Sequence, residues 1–343
     1  MNTNQIAQAI RALEEGLRDS YEVPNTVLRD VPQPLVSVRT TTYQHAAYIK
    51  ECIDAVLAQK TPFPFEYLIG EDFSTDGTRE IVMRCAQENP GLIRLVTADR
   101  NVGFRANGRR TVIRSRGKYM AICEGDDLWI DPHKLADQVA ILEADTTLSA
   151  CVSDAWNETD GVREPFNHEL ERLASGKGYI ELSDLLKENI APTASIVIRV
   201  SMLTPPHPNQ SKAPAGDWLL LIRLALQGPI GILNRKCVVR RRHAGGTISM
   251  KDDVQKGLFT VACLTSIREM VPPAEQAIID ERVNGLNRIA IELAYQKGGR
   301  DAAIKVWGTF KGRGLGARQR WRWWMLLHFP GLMRVVGKLR GRR

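Results

Sequence analysis

KYMAICEGDDLWIDP, residues 118–132, decides how the rest of the chain is read. The apolar run Tyr119–Cys123 passes directly into Glu124, Asp126 and Asp127, three carboxylates within four positions. A short apolar run of this kind reads as a buried strand, here over 118–124. Like charges this close repel, so a chain that sets them at a strand's end must offset the repulsion. Two readings of the residues stand side by side. A hard divalent cation, Mg²⁺ or Mn²⁺, takes oxygen ligands from one or two carboxylates and from substrate phosphates. Alternatively, the acids form a solvated turn ahead of a helix capped by Asp131, with Pro132 as its first residue.

Outward from this stretch, strand and helix patterns alternate. Strands are predicted at 35–40, 66–70 and 92–97. Between them lie a helix over 46–59, with Ile49, Cys52, Ile53, Val56 and Leu57 on one face, and a helix opened by Asp76-Gly77-Thr78. Another helix is predicted over 104–115, and the one after Asp131 carries Leu135, Val139 and Leu142. This alternation implies an α/β fold: a mostly parallel sheet flanked by helices, with ligands at the carboxyl ends of its strands. After residue 150 the pattern loosens to strand candidates at 195–200, 230–233 and 237–242 and a helix over 217–228. Residues 253–310 read as helices alone. The expected organisation is an N-terminal helix and linker (1–33), the α/β domain (34–250), a helical extension (251–310) and a basic aromatic tail (311–343).

A hydrophobic share of 43% and a charged share of 25% over 343 residues are ordinary for a globular protein. No stretch is apolar for long enough to span a bilayer, and the N-terminus lacks the layout of a secretion signal, so a cytoplasmic place is expected. The six cysteines are scattered without a CxxC pair and read as reduced core residues. The net charge of +8 is local: residues 311–343 hold ten Lys and Arg and no acid, leaving 37 basic against 39 acidic residues elsewhere. That distribution speaks against a nucleic-acid-binding body.

A second acidic stretch, GEDFSTDGT (70–78), ends another strand. The turn chemistry explains Asp76 and Gly77 but does not require Glu71 and Asp72. Neither a P-loop nor a dinucleotide fingerprint follows the first strand, which argues against both of those nucleotide sites.

VSVRTTTYQHAAYIKECIDAVLAQKT, GEDFSTDGT, NVGFRANG and YMAICEGDDLW stand in the order and spacing of family 2 glycosyltransferases, and residues 35–245 resemble that family and its GT-A fold. The resemblance implies transfer of a sugar, with inversion, from a nucleoside-diphosphate sugar (UDP or dTDP favoured) to a glycan or lipid-linked hydroxyl. It sets Thr42 and Tyr43 beside the nucleotide, Glu71 and Asp72 at its base and ribose, and Asn101 and Arg105 in the donor-side loop. Glu124-Gly125-Asp126 takes the place of the family's metal-binding DxD, with Asp127 beside it; Glu in first position keeps the charge and lengthens the reach. Mn²⁺ or Mg²⁺ is the implied cofactor. GDWLLLIRLALQG resembles the segment bearing the family's catalytic base, here Asp217. On the residues alone, Asp217 reads first as a helix cap, and the resemblance is what turns it into the base. RRHAGGTIS makes His243 a candidate metal or phosphate ligand and Arg241 and Arg242 candidate partners of the diphosphate. Thr193, Ser195 and Trp218 are candidates for the acceptor side.

In the tail, Trp321, Trp323, Trp324 and Phe329 alternate with Arg318, Arg320 and Arg322, and Leu332, Val335, Val336 and Leu339 recur at helical spacing. This suits the surface of an anionic membrane and a peripheral place on the inner face of the cell membrane. The competing reading packs the aromatics back on the protein. Two rival functions remain: a sugar nucleotidyltransferase, disfavoured by TTTYQHAAY where a Gly-rich basic loop belongs, and a catalytically silent binding module.

Overall fold

The computed structural model describes residues 13–25, 33–206, 213–243, 245–246, 251–310 and 317–328. They fall into two compact units, one of Met1–Lys212 with Gly216–His243 and the other of Ala213–Ala215 with Ala244–Arg343.

In the first unit, α1 (13–18) is the described part of the N-terminal helix, followed by β1 (Tyr21–Glu22). Then come β2 (Val36–Thr42), α2 (Ile49–Leu57), β3 (Phe65–Glu71), α3 (Thr78–Glu88), β4 (Ile93–Thr97), α4 (Phe104–Val112) and β5 (Tyr119–Ile122). The strands of this half are covered on both faces, so polar positions such as Ser37, Thr40, Glu66 and Thr97 are buried along with the Val, Leu and Ile between them. β4, β3, β2 and β5 lie in that order, all parallel.

The later half departs from the mostly parallel expectation. β6 (Leu128–Trp129), α5 (Lys134–Ala144), β7 (Ala150–Thr159), β8 (Val162–Pro165), α6 (His168–Ser175), β9 (Tyr179–Ile180), α7 (Leu182–Leu185), β10 (Val197–Arg199), α8 (Asp217–Ala225) and β11 (Ile230–Arg242) complete the unit. β10 inserts antiparallel between β5 and β7, β11 runs parallel to β7, and β6 pairs antiparallel with β11. The sheet is therefore mixed. Its main core joins Val36, Val38, Ile53, Tyr67, Ile69, Ala121, Cys151, Val197 and Val238.

Asp131 is not the cap of α5. The cap position is His133, and Asp131 accepts its amide at 2.8 Å from two residues upstream. All six cysteines are buried thiols, none of them in a disulfide.

The second unit contains α9 (Asp253–Arg268), α10 (Pro273–Phe310) and α11 (Ala317–His328). α10 is interrupted at Gly298–Gly299, where Gly299 takes φ +68°, a value that favours glycine. Ala290, Ile291, Ala294, Val306, Trp307 and Leu327 form its own apolar cluster. No described helix is long and apolar enough to cross a membrane.

Candidate active site

The site is built where β2, β3 and β5 end together. Thr42 pairs with Glu71 across β2 and β3. Beyond the strands, the Asp72 amide donates to the Thr42 carbonyl at 3.1 Å, and the Gly125 amide donates to the Thr41 carbonyl at 3.1 Å. Both acidic stretches are thus pinned on either side of Thr42. A Cβ at Gly125 would lie 2.8 Å from Cβ and Oγ1 of Thr42 and 3.0 Å from Nδ1 of His45. Glycine is what lets the acidic turn lie against β2.

Asp126 meets two imidazoles: Nε2 of His243 at 3.1 Å and Nε2 of His45 at 3.9 Å. Tyr48 lies against the His243 ring, with centroids 4.8 Å apart. Burial pulls the His45 pKa below its ordinary value despite Asp126, which favours the neutral ring that can ligate a metal. His45 carries no sequence signal beyond its place just past the end of a strand.

Glu124 is half-buried, and burial together with Asp126 and Asp217 pushes its carboxyl up to about 7. The Arg39 and Arg240 charges act in the opposite direction. Arg39 on β2 is held by the Gly108 carbonyl at 3.0 Å and Thr111 Oγ1 at 3.3 Å.

Asp217 is the first residue of α8, behind Gly216 at the cap position. Its Oδ1 accepts the Trp218 amide at 2.8 Å, and its Oδ2 accepts Asn189 Nδ2 at 3.2 Å and Thr193 Oγ1 at 3.4 Å. Thr193 therefore braces Asp217. So does Asn189, whose side chain escaped notice in the sequence although it stands four residues from Thr193. The Asn189 Oδ1 is buried with no hydrogen-bond partner among the described residues.

Other expected residues lie elsewhere. Glu71 is fully buried, with its oxygens taken by the Ser74 amide (2.6 Å), Thr97 Oγ1 (3.1 Å) and Arg79 (3.3 Å), so it shapes the corner and leaves no oxygen for a ribose. Asp127 is buried and accepts the Arg241 amide at 3.1 Å, which ties the acidic turn to β11 rather than presenting a ligand beside Asp126. Ser195 is buried on the Pro192 carbonyl, and Trp218 is buried with its indole donating to Leu185, so neither offers a surface to an acceptor.

Asp72 accepts the amides of Val102 and Gly103 at 2.8 and 3.0 Å, and Asn101 donates to the Asp72 carbonyl at 3.2 Å. These two residues fix the loop before α4. Tyr43 and Arg105 are exposed, the latter's guanidinium 5.0 Å from the Phe104 ring centre. Arg241 pairs with Glu51 and lies over Tyr48, while Arg242 pairs with Glu164.

The family model described as Glycosyl transferase family 2 matches residues 37–203, the stretch that holds both acidic strand ends. Residues 37–203 are a family 2 glycosyltransferase domain. An uncharacterized protein of Mycobacterium tuberculosis is 34% identical over 216 residues, covering 62% of this chain and 60% of that protein. The chain thus matches under two thirds of that relative's length. A Bacillus subtilis protein named for a glycosyltransferase role in teichuronic acid biosynthesis is 27% identical over 220 residues, covering 63% of this chain and 82% of its own length.

Among solved structures, the glycosyltransferase fold is shared with a Pyrobaculum calidifontis mannosyltransferase in complex with GDP-Man and Mn²⁺. Its TM-score is 0.55 at 19% identity, over 94% of this chain and 90% of that one. It is also shared with TarS of S. aureus in complex with UDP-GlcNAc, with a TM-score of 0.57 at 18% identity, over 82% of each chain. The glycosyltransferase domain is thus a GT-A type α/β fold.

Proposed function

We propose that the chain moves a sugar from a nucleoside-diphosphate sugar to a hydroxyl of a glycan or lipid-linked acceptor at the inner face of the cell membrane, with inversion. The observation that carries the reading is electrostatic. At one end of the sheet, Glu124 and Asp126 of the turn after β5 lie within electrostatic reach of Asp217 at the start of α8, and burial, with those two charges adding to it, pushes the Glu124 carboxyl up to about 7. A cluster of acids so arranged suits a cation on one side and a proton acceptor on the other.

The donor set fits Mn²⁺ or Mg²⁺ completed by substrate. Among the described residues no three His, Cys, Asp or Glu side chains are grouped to hold a metal by themselves. Asp126 with His243, beside Glu124, instead supplies the few protein ligands such a cation needs when diphosphate oxygens fill the remainder. When bound, the ion neutralises charge developing on the leaving diphosphate.

Exposed Tyr43, Asn101 and Arg105 line the nucleoside, taken as uridine or thymidine, while buried Thr42 and Asp72 hold the strand end and loop that place them. Asp217, fixed by Asn189, Thr193 and its own neighbouring amide, takes the acceptor's proton as the oxygen forms its bond to the anomeric carbon. The bond from that carbon to the diphosphate breaks, and the electron pair leaves with the diphosphate.

Thermal unfolding against UDP, dTDP, GDP and CDP, each with and without Mn²⁺, tests the donor site. A ligand that binds the native state raises the melting temperature by mass action. The reading expects a metal-dependent rise with one nucleotide, lost in Asp126→Ala. A full rise in Asp126→Ala would overturn the site. Binding without any release of nucleoside diphosphate from the matching donor sugar would make the chain a silent module.

A further inference from the structure

We propose that the outward face of α11 docks on an anionic lipid surface, with Trp321 and Trp324 at the headgroup level and Arg318, Arg320 and Arg322 on its flanks. This deepens the membrane side of the reading above, but its test needs no transfer activity, so either idea can fail alone.

α11 has two apolar sides, and one is already in use. Trp323 and Leu327 pack into the cluster formed by Ala290, Ile291, Ala294 and Trp307. Arg300 of α10 closes the last turn by donating to the Leu327 carbonyl at 2.5 Å and the His328 carbonyl at 3.4 Å. The helix is thus seated, and the expectation that the aromatics pack back on the protein holds for Trp323. It fails for Trp321, 59% exposed, and for Trp324, 42% exposed, while Phe329 lies outside the described residues.

At about 100° per residue, Trp321, Trp324 and His328 share one face. Arg320 then lies to one side of that face, with Arg318 and Arg322 to the other. The Trp324 and His328 rings stack at 5.2 Å, which widens the flat aromatic strip. A helix needing nothing outside itself would carry polar residues there, because exposed indoles gain nothing from water. Tryptophan with a cationic border is the composition that settles at a bilayer interface, where the ring is half-buried and its N–H stays wet.

The sign of the charge selects the lipid. Residues 311–343 contain ten basic residues and no acidic one, complementary to an anionic leaflet. A polyanionic nucleic acid offers the same sign. The apolar recurrence of Leu332, Val335, Val336 and Leu339 in the sequence after α11, which lies outside the described residues, favours lipid.

The experiment is co-sedimentation of the full chain with vesicles of phosphatidylglycerol and phosphatidylcholine against vesicles of phosphatidylcholine alone, at low and high salt. Binding is expected to the anionic vesicles and to weaken with salt. Trp321→Ala with Trp324→Ala is expected to weaken it on the order of tenfold with the melting temperature unchanged, since both rings are exposed. Arg318→Gln, Arg320→Gln and Arg322→Gln together are expected to weaken it by roughly a hundredfold, about fivefold each. Absence of anionic-vesicle binding overturns the proposal. So does binding that the tryptophan pair leaves untouched. Displacement from vesicles by a single-stranded oligonucleotide that binds more tightly would assign the face to nucleic acid and overturn it as well.

Discussion

At the scale of single residues, Asp217 is distinguished from an ordinary helix-starting acid by what holds it. A cap needs backbone partners; this carboxylate also collects side-chain donors from Asn189 and Thr193 on one oxygen. Asp217→Asn is expected to lower the turnover number by roughly a hundredfold to ten-thousandfold, the worth of a positioned base, while leaving the nucleotide-induced rise in melting temperature intact. Asn189→Ala should cost about tenfold in turnover, since one hydrogen bond to a charged group is worth roughly 1.5 kcal/mol or more. Nucleoside diphosphate release measures both, and a loss seen in melting temperature alone would make Asn189 a purely structural post. Gly125 tests the other side of the site. In Gly125→Ala the new methyl meets Thr42 and His45 at 2.8 to 3.0 Å, so a destabilisation of about 1–3 kcal/mol and a weakened nucleotide shift are expected.

At the scale of elements, α5 carries an unusual burden. Lys134 is fully buried, its Nζ donating to Gln138 at 2.7 Å and lying 4.1 Å from the Trp129 ring centre. Burial brings its pKa down from 10.5 to about 8. Between those two values the unfolded chain holds the proton more firmly than the folded one, so this residue's contribution to stability rises with pH there. Its penalty is fully present below pH 8 and relieved as pH approaches 10.5. Lys134→Met should abolish that slope. The stability difference between wild type and variant should then shift by roughly 3 kcal/mol in favour of wild type from pH 7 to pH 10.5, by denaturant unfolding. A pH-independent difference would show that the ammonium is not desolvated.

The same scale shows what the sequence discloses. β2 to β5 were legible as short runs rich in Val, Ile, Leu, Thr and Tyr bounded by turn residues, and α2 to α5 because their inward positions repeat at the helical period. β11 was not. Asn234-Arg235-Lys236 reads as a turn between two strands, yet the strand continues through it with shifted register, because Arg235 pairs with Asp131 and Asp137 and Lys236 with Asp154 and Glu171. β10 was legible as the strand candidate at 195–200, whereas β6 is too short for a pattern and exists because β11 completes it. Within the site, both acidic strand ends were legible, but burial was not. Glu71 and Asp127 differ from Asp126 in which way the backbone turns them, and no spacing rule records that.

At the scale of the whole molecule, the chain carries two compact units with separate apolar clusters. Ligand binding and core damage should therefore register on different unfolding transitions. The proposed nucleotide site draws on β2, β3, β5, α8 and the end of β11, all in the first unit, whereas Trp323 packs against α10 in the second. Trp323→Ala removes a large part of a small cluster and is expected to destabilise the second unit by about 2–4 kcal/mol. In differential scanning calorimetry with nucleotide and Mn²⁺, ligand should raise one transition and Trp323→Ala lower the other, with each change silent on its opposite. The result bears on how the protein works. If both changes move one common transition, the units unfold cooperatively, and docking α11 on a membrane would stabilise the glycosyltransferase domain as a bound ligand does. If they separate, the second unit can hold the chain at a surface without altering the stability of the fold that carries the chemistry.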